Sequence, residues 1–264
     1  MTISTMESRN HKFKKAILVK GTVLFLWLFL WQLAYWAVGQ DLLLASPLDV
    51  CSRIFVLVKT IYFWKIITAS LLRILCGFLL AVFLGIFLAV LTSRFTVLYD
   101  FIALPMNLIK AAPVASFVIL ALIWISGHKL SIFISFLMVL PLVWRNVHDG
   151  ILAADPQLLE MAQVYHLPQK SVWRAIIIPA VLPRFLTAIR IGSGFAWKAG
   201  IAGEVIAIPN IAIGTELYHA KVYLETIDLF AWTFIIILLS ILLERLSILG
   251  IKYLSLFLCR GISL

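Results

Sequence analysis

From Ile74 to Thr92 the chain reads ILCGFLLAVFLGIFLAVLT, nineteen residues without a single charge. One helix needs about 20 apolar residues to cross the hydrocarbon of a bilayer, and comparable runs recur along the chain. They are continuous rather than alternating, which excludes the short two-sided strands of a transmembrane barrel. Composition agrees, with 63% of residues hydrophobic and 13% charged, against roughly half and a quarter in a soluble domain. The chain reads as an all-α membrane protein of six transmembrane helices.

Runs bounded by polar or Gly/Pro punctuation place the spans near 20–38, 66–92, 98–125, 129–147, 173–207 and 228–250. Residues 1–19 and 251–264 become tails around a six-span domain at 20–250. The start, MTISTMESRNHKFKKAILVKG, is basic like a signal peptide. The run after it is rich in Trp (Trp27, Trp31, Trp36) and lacks a small-x-small cleavage site, so an uncleaved first span is expected. The third span contains Pro105 and KAAPVAS, which predicts a bend or break near Lys110–Pro113. A proline within a membrane helix frees a carbonyl that must find a partner in protein or water. Pro113 is therefore a candidate hinge in a helix lining a pathway, with a structural kink as the alternative.

The net charge of +10 is explained by basic residues gathering in cytoplasmic loops. No nucleic-acid-binding motif or soluble domain is present to suggest otherwise. With the N-terminus inside, twelve Lys and Arg fall in inner segments, five in outer loops, and five near or within spans. This predicts that both termini and the loop at 148–172 are cytoplasmic.

Several chemistries are absent. There is no G-x-x-x-x-G-K-[ST] phosphate loop, no H-E-x-x-H and no G-x-S-x-G. The histidines do not cluster as metal ligands, and Cys51, Cys76 and Cys259 lie far apart, as buried apolar residues would. No cofactor or metal is expected on this chain. Ionisable residues near the third and fifth spans are few: Lys110, Arg184, Arg190, Lys198 and Glu204. They would mark ion coupling in a secondary transporter, or simply snorkel to a boundary. Glu204, after Gly203, fits either an intramembrane site or the outer interface.

Two spans carry small residues every fourth position, Gly77-Ala81-Gly85-Ala89 and Ala188-Gly192-Ala196-Gly200. This spacing lets membrane helices approach closely. Ordinary packing within the chain is one reading; a subunit interface, gate or pathway along the fifth span is the other.

The loop DGILAADPQLLEMAQVYHLPQKSVWRAIIIPAVLP is unusually polar for this chain. Asp155 is a good N-cap and Pro156 suits the first helical position. A helix from there would put Leu158, Leu159, Ala162, Tyr165 and His166 on one side, and small Ala162 would let a partner come close. Leu167-Pro168 biases the chain out of the helix, and Pro179 and Pro183 are candidate hinges at the start of the fifth span. The element is either a surface anchor or a docking knob.

This loop resembles the E-A-A loop of permease subunits of binding-protein-dependent ABC importers: E-A-A, three residues, Gly, nine residues, I-x-L-P. Glu160, Met161 and Ala162 fill the E-A-A, and His166 falls at the Gly position. Ile176, Ile177, Ile178 and Pro179 close the pattern. SPLDV (46–50), TASLLRILCGFLLAVFLGIFLAV (68–90), AAPVASFVILALIWISG and TIDLFAW (226–232) look like the nitrate/sulfonate/taurine-type branch, so the likeness spans roughly residues 45–250.

The resemblance implies a methionine-importer-permease-like fold in a bacterial inner membrane, used as a homodimer. Cytoplasmic ATPase subunits would bind the ATP and Mg, and an extracytoplasmic binding protein would deliver the solute. The solute would be a small anion such as a sulfonate, taurine or nitrate, or alternatively a pyrimidine-type vitamin precursor. A secondary transporter or channel acting alone is the reading outside the family. The loop helix would insert into a groove on the ATPase through Leu158 to His166. Met161 replaces an alanine of the pattern, and His166 replaces a glycine whose value is access to positive φ. Histidine is among the residues enriched there, so the turn is expected to survive. The alternative is a groove shaped for an imidazole.

Overall fold

The computed structural model describes residues 3–260, and every described regular element is helical. Residues 1, 2 and 261–264, the extremities of the two expected tails, lie outside the described residues. The elements run α1 (Ile3–Val38), α2 (Pro47–Val58), α3 (Ile61–Thr92), α4 (Thr96–Ala111), α5 (Val114–Ala121) and α6 (Gly127–Leu152). After them come α7 (Pro156–Val164), α8 (Gln169–Val172), a π-helical turn (Trp173–Ile177), α9 (Ile178–Ala207), α10 (Ile213–Val222) and α11 (Thr226–Arg260). Five stretches are long and apolar enough to span a bilayer, and α4 with α5 supplies a sixth, bent by 105°. The bend falls at Ala112–Pro113, where Pro113 takes ψ 136° and starts α5. The break expected near Lys110–Pro113 is there.

The small-residue stripes explain the core. Gly77, Ala81, Gly85 and Ala89 of α3 are all buried. A Cβ at Gly77 would lie 2.2 Å from the Ile132 carbonyl oxygen of α6, and one at Gly85 would lie 2.9 Å from Val143. On α9, a Cβ at Gly200 would meet Ile74 at 2.5 Å and the Ser135 hydroxyl at 2.6 Å. Both stripes therefore close on α6, which lies between α3 and α9, and the hydroxyl of Ser135 donates to the Ala196 carbonyl (3.0 Å). Without a hydrophobic force between helices in lipid, such close contact supplies the association energy. Among the described residues Gly192, Ala196, Gly200 and Gly203 thus serve packing inside the chain. Of the two readings, the contacts seen are those of ordinary packing within the chain.

The bundle has two ends. One carries the 93–95 turn and the 148–172 loop; the other carries α2, α10 and the 39–46 segment. At the second end the Arg53 guanidinium ties α2 to Asp228 of α11 (Nη2–Oδ2 2.7 Å). The neighbouring carboxylate holds the Arg53 pKa above its ordinary value, against the lowering effect of burial. Trp31 of α1 stacks on Phe234 of α11 at 5.3 Å between ring centroids, while Phe25, Trp27 and Trp36 lie exposed. α1 is a peripheral span.

Candidate functional site

The loop helix is built by local chemistry. The Asp155 carboxylate accepts from the Gln157 N–H at 2.9 Å, satisfying a donor that a helix start leaves free. Nine residues later the helix closes in a Schellman motif: His166 N–H donates to the Gln163 carbonyl (3.1 Å) and Leu167 N–H to Ala162 (2.9 Å). This requires a left-handed residue, and His166 takes φ 48°. The turn usually made by glycine survives with histidine, as expected.

The faces of α7 differ from the expected set in one respect. Ala162 is buried, packed with Ala154 and Ile176 and flanked by Leu159, Val172 and Ala180. Its small side chain lets α7 lie close to its own chain; it does not leave room for a partner. The outward surface is Leu158, Glu160, Met161, Val164 and Tyr165, with Tyr165 73% and Val164 74% exposed. A row of exposed apolar side chains with one carboxylate is what remains for contact.

The base of the loop is pinned to the bundle. A Cβ at Gly150 would lie 2.9 Å from Val181 Cα, so α6 and α9 nearly touch there. Arg184 donates to the Asp149 carbonyl, the Asp149 carboxylate pairs with Arg145 at 2.9 Å, and Arg145 reaches the Tyr99 hydroxyl. Above this root lies the π turn, in which Ile178 N–H donates to Trp173 five residues back. The cause is Pro179, whose ring would clash with the Ala175 carbonyl of a regular α turn. Pro183 follows one turn later inside α9, which continues through it, so both prolines fall in the segment joining the loop to the core.

Glu204 lies three residues before the end of α9 and is fully buried. Its carboxylate accepts from Arg73 Nη2 (2.9 Å) and Ser70 Oγ (2.8 Å) of α3 and from Gly214 N–H (3.3 Å) of α10. Arg73 also donates to the Ile211 carbonyl at 2.9 Å. Ile208 (φ 48°) and Ile211 (φ 55°) are both left-handed, which is strained for β-branched side chains. The network holds α10 against α3 and α9 through this strained turn. With its acceptor sites filled, Glu204 is a structural clasp.

The open space lies elsewhere. A cavity of about 540 Å³ sits at the α4–α5 break, between α6 and α9. Lys110, Lys198, Met138, Leu142 and Phe195 are among its lining residues. Both lysines were legible singly in the sequence; nothing in the sequence placed them in one cavity.

Residues 81–254 match the family described as "Binding-protein-dependent transport system inner membrane component". The chain is similar to a probable ABC transporter permease protein of Brucella melitensis, 27% identical over 204 residues that cover 77% of this chain and 82% of that protein. It is similar to the taurine transport system permease protein of Escherichia coli, 25% identical over 230 residues (85% and 83% of the two chains). A putative aliphatic sulfonates transport permease protein of Escherichia coli is 29% identical over 199 residues (74% and 75%).

Proposed function

Because this chain belongs to the binding-protein-dependent transport system inner membrane component family, and is thus a multi-pass transport subunit and not an enzyme, we propose that it forms the solute pathway of an ATP-driven importer and is driven through α7. The end bearing the loop faces the cytoplasm, as do both chain termini. ATPase subunits dock there and bind the ATP and Mg. A second copy completes the pathway, and an extracytoplasmic binding protein delivers the solute. The taurine and sulfonate permeases among its relatives, together with a bicarbonate transport permease of Synechocystis, favour a small anion as that solute.

The observation that carries this reading is the two-sidedness of α7. Leu159 and Ala162 fasten it to Ile176, while Leu158, Glu160, Met161 and Tyr165 face outward. A helix anchored on one side passes a push on its free side to whatever it is anchored to. Here that is the start of the α9 span.

The test is to purify the chain with its ATPase and replace Tyr165 and Met161 with Glu, leaving the inner face alone. Insertion is expected to be normal, with transport reduced on the order of tenfold or more while ATP hydrolysis continues. That loss corresponds to about 1.4 kcal/mol or more of coupling. Wild-type transport in the double variant would refute the docking role. Purification without any ATPase partner would instead favour a transporter acting alone.

A further inference from the structure

We infer that Lys110 and Lys198 form an anion-binding station within the membrane-embedded part of the chain, in the cavity between the α4–α5 break, α6 and α9. This deepens the reading above and rests on it for the charge of the solute.

The geometry sets the depth. Lys198 lies nine residues before the end of α9, about 14 Å inward at 1.5 Å per residue. Lys110 lies fourteen residues into α4, about 21 Å from the opposite boundary by the same measure. Both lie well inside the outer limits of their spans, and both ammonium-bearing side chains are exposed on the single chain, open to the cavity rather than sealed in the core.

The chemistry sets the charge. Neither ammonium has an ion-pair or hydrogen-bond partner among the described residues, and no carboxylate lines the cavity. Asp149 is already paired with Arg145 at the loop end. Of the other acids within the spans, Glu204 is committed to Arg73 and Ser70 and Glu244 faces Arg190 at 3.7 Å, and neither these nor Asp100 lines the cavity. An unpaired charge is costly in hydrocarbon, so charged side chains at this depth face a water-filled space or a counter-ion. Two in one otherwise apolar cavity repel each other, and an anion between them removes that repulsion.

The backbone contributes too. The chain breaks at Ala112–Pro113 and α5 restarts with Val114 on the cavity wall. The first turn of a helix presents N–H groups with no intrahelical partner, which favour negative charge. The volume falls within the range of about 300–1,000 Å³ typical of small-molecule sites.

Further cations continue the path toward the loop end. On α6, Arg145 stands one turn beyond the cavity residues Pro141 and Leu142. With Arg184 and Asp149 it lines a second, open cavity of about 470 Å³, where two guanidinium groups outweigh one carboxylate. An anion leaving the station would meet positive charge along that route.

The test uses the full chain with its ATPase, reconstituted in liposomes, with Cys51, Cys76 and Cys259 replaced by Ser and Ala202→Cys as reporter. Ala202 lines the cavity. The probes are two thiol reagents of similar size, anionic sulfonatoethyl methanethiosulfonate and cationic trimethylammonioethyl methanethiosulfonate. The anionic reagent is expected to be favoured on the order of tenfold over its preference at an exposed control, Asn210→Cys. That preference should vanish in K110Q/K198Q and persist in K110R/K198R. Excess methanesulfonate should slow modification, and excess tetramethylammonium should not.

A reporter inert to both reagents would mean a dry or lipid-filled cavity and would overturn the proposal. So would a preference unchanged by the Gln substitutions, or an absence of protection by methanesulfonate. These ratios need no ATP hydrolysis, so the coupling role fails or stands separately.

Discussion

Glu204→Ala is the most informative single change in the bundle. The side chain is fully buried, and its partner Arg73 keeps 15% side-chain exposure. Four donor contacts converge on the carboxylate: Arg73 Nη2 at 2.9 Å and Nε at 3.2 Å, Ser70 Oγ at 2.8 Å, and Gly214 N–H at 3.3 Å. Hydrogen bonds to a charged group are each worth about 1.5–3 kcal/mol net but do not add. Removing one member of a buried pair typically costs about 3–5 kcal/mol, because the other charge is stranded. Arg73 would retain the Ile211 carbonyl, a long contact to the Ser70 hydroxyl (3.4 Å) and some solvent but no counter-charge, so Glu204→Ala is expected to fall in that range. Glu204→Gln keeps the shape but turns an amide NH₂ toward Arg73 and the Gly214 N–H, which can only donate, and a Ser70 hydroxyl that already accepts from Ile213 N–H, so about 2 kcal/mol or more is expected even there.

The assay is equilibrium unfolding of the purified chain in mixed micelles, followed by tryptophan fluorescence. A double-mutant cycle with Arg73→Met completes it. The double variant should be more stable than the sum of the singles predicts by about 2 kcal/mol, since no charge is then stranded. A loss below about 1 kcal/mol for Glu204→Ala, or additive singles, would refute the reasoning.

Four further variants test packing and backbone geometry. Gly77→Ala drives a Cβ to within 2.2 Å of the Ile132 carbonyl oxygen and should cost about 1–3 kcal/mol or prevent folding. Gly194→Ala, with nothing within 4 Å, should be neutral or stabilising by about 0.5–1 kcal/mol; the same unfolding assay reads both. At φ 48°, His166→Gly should leave stability within about 1 kcal/mol and transport unchanged, since relieved strain offsets added chain entropy. His166→Val should lose about 1–3 kcal/mol, because a β-branched residue fits that conformation poorly. Lost transport in a stable His166→Gly protein would favour a groove fitted to the imidazole.

What the sequence made legible was what one-dimensional signals encode. Apolar length located the spans, KAAPVAS located the break, and Asp155-Pro156 located the start of α7. The stripes announced close approach but not toward whom, because α6 answers them with backbone at Ile132 and with ordinary side chains such as Ser135 and Val143. The helices α2 and α10 are too short to span, and their Pro47 and Ala212–Gly214 starts look like loop. Glu204 was visible as an oddity, but its partner Arg73 lies 131 positions away, beyond any local pattern. Ala162 was placed on the right helix and assigned the wrong neighbour: helical spacing defines a face, not which body that face meets. Lys110 and Lys198 were separate candidates for snorkelling until the fold put them around one space.

The π turn at Trp173–Ile177 has a consequence for counting. A π turn holds one residue more than an α turn and leaves the helix axis nearly continuous. One residue corresponds to about 100° of rotation about that axis. Val172 just before the turn and Ile176 within it address α7; beyond it, Gly192, Ala196 and Gly200 address α6. Deleting a single residue such as Arg174 from the turn would leave every side chain of both seams in the chain, yet swing one of these seams away from its neighbour. The number of residues between loop and core is therefore constrained as tightly as their identities, and the wide turn acts as the phase adjuster between the two.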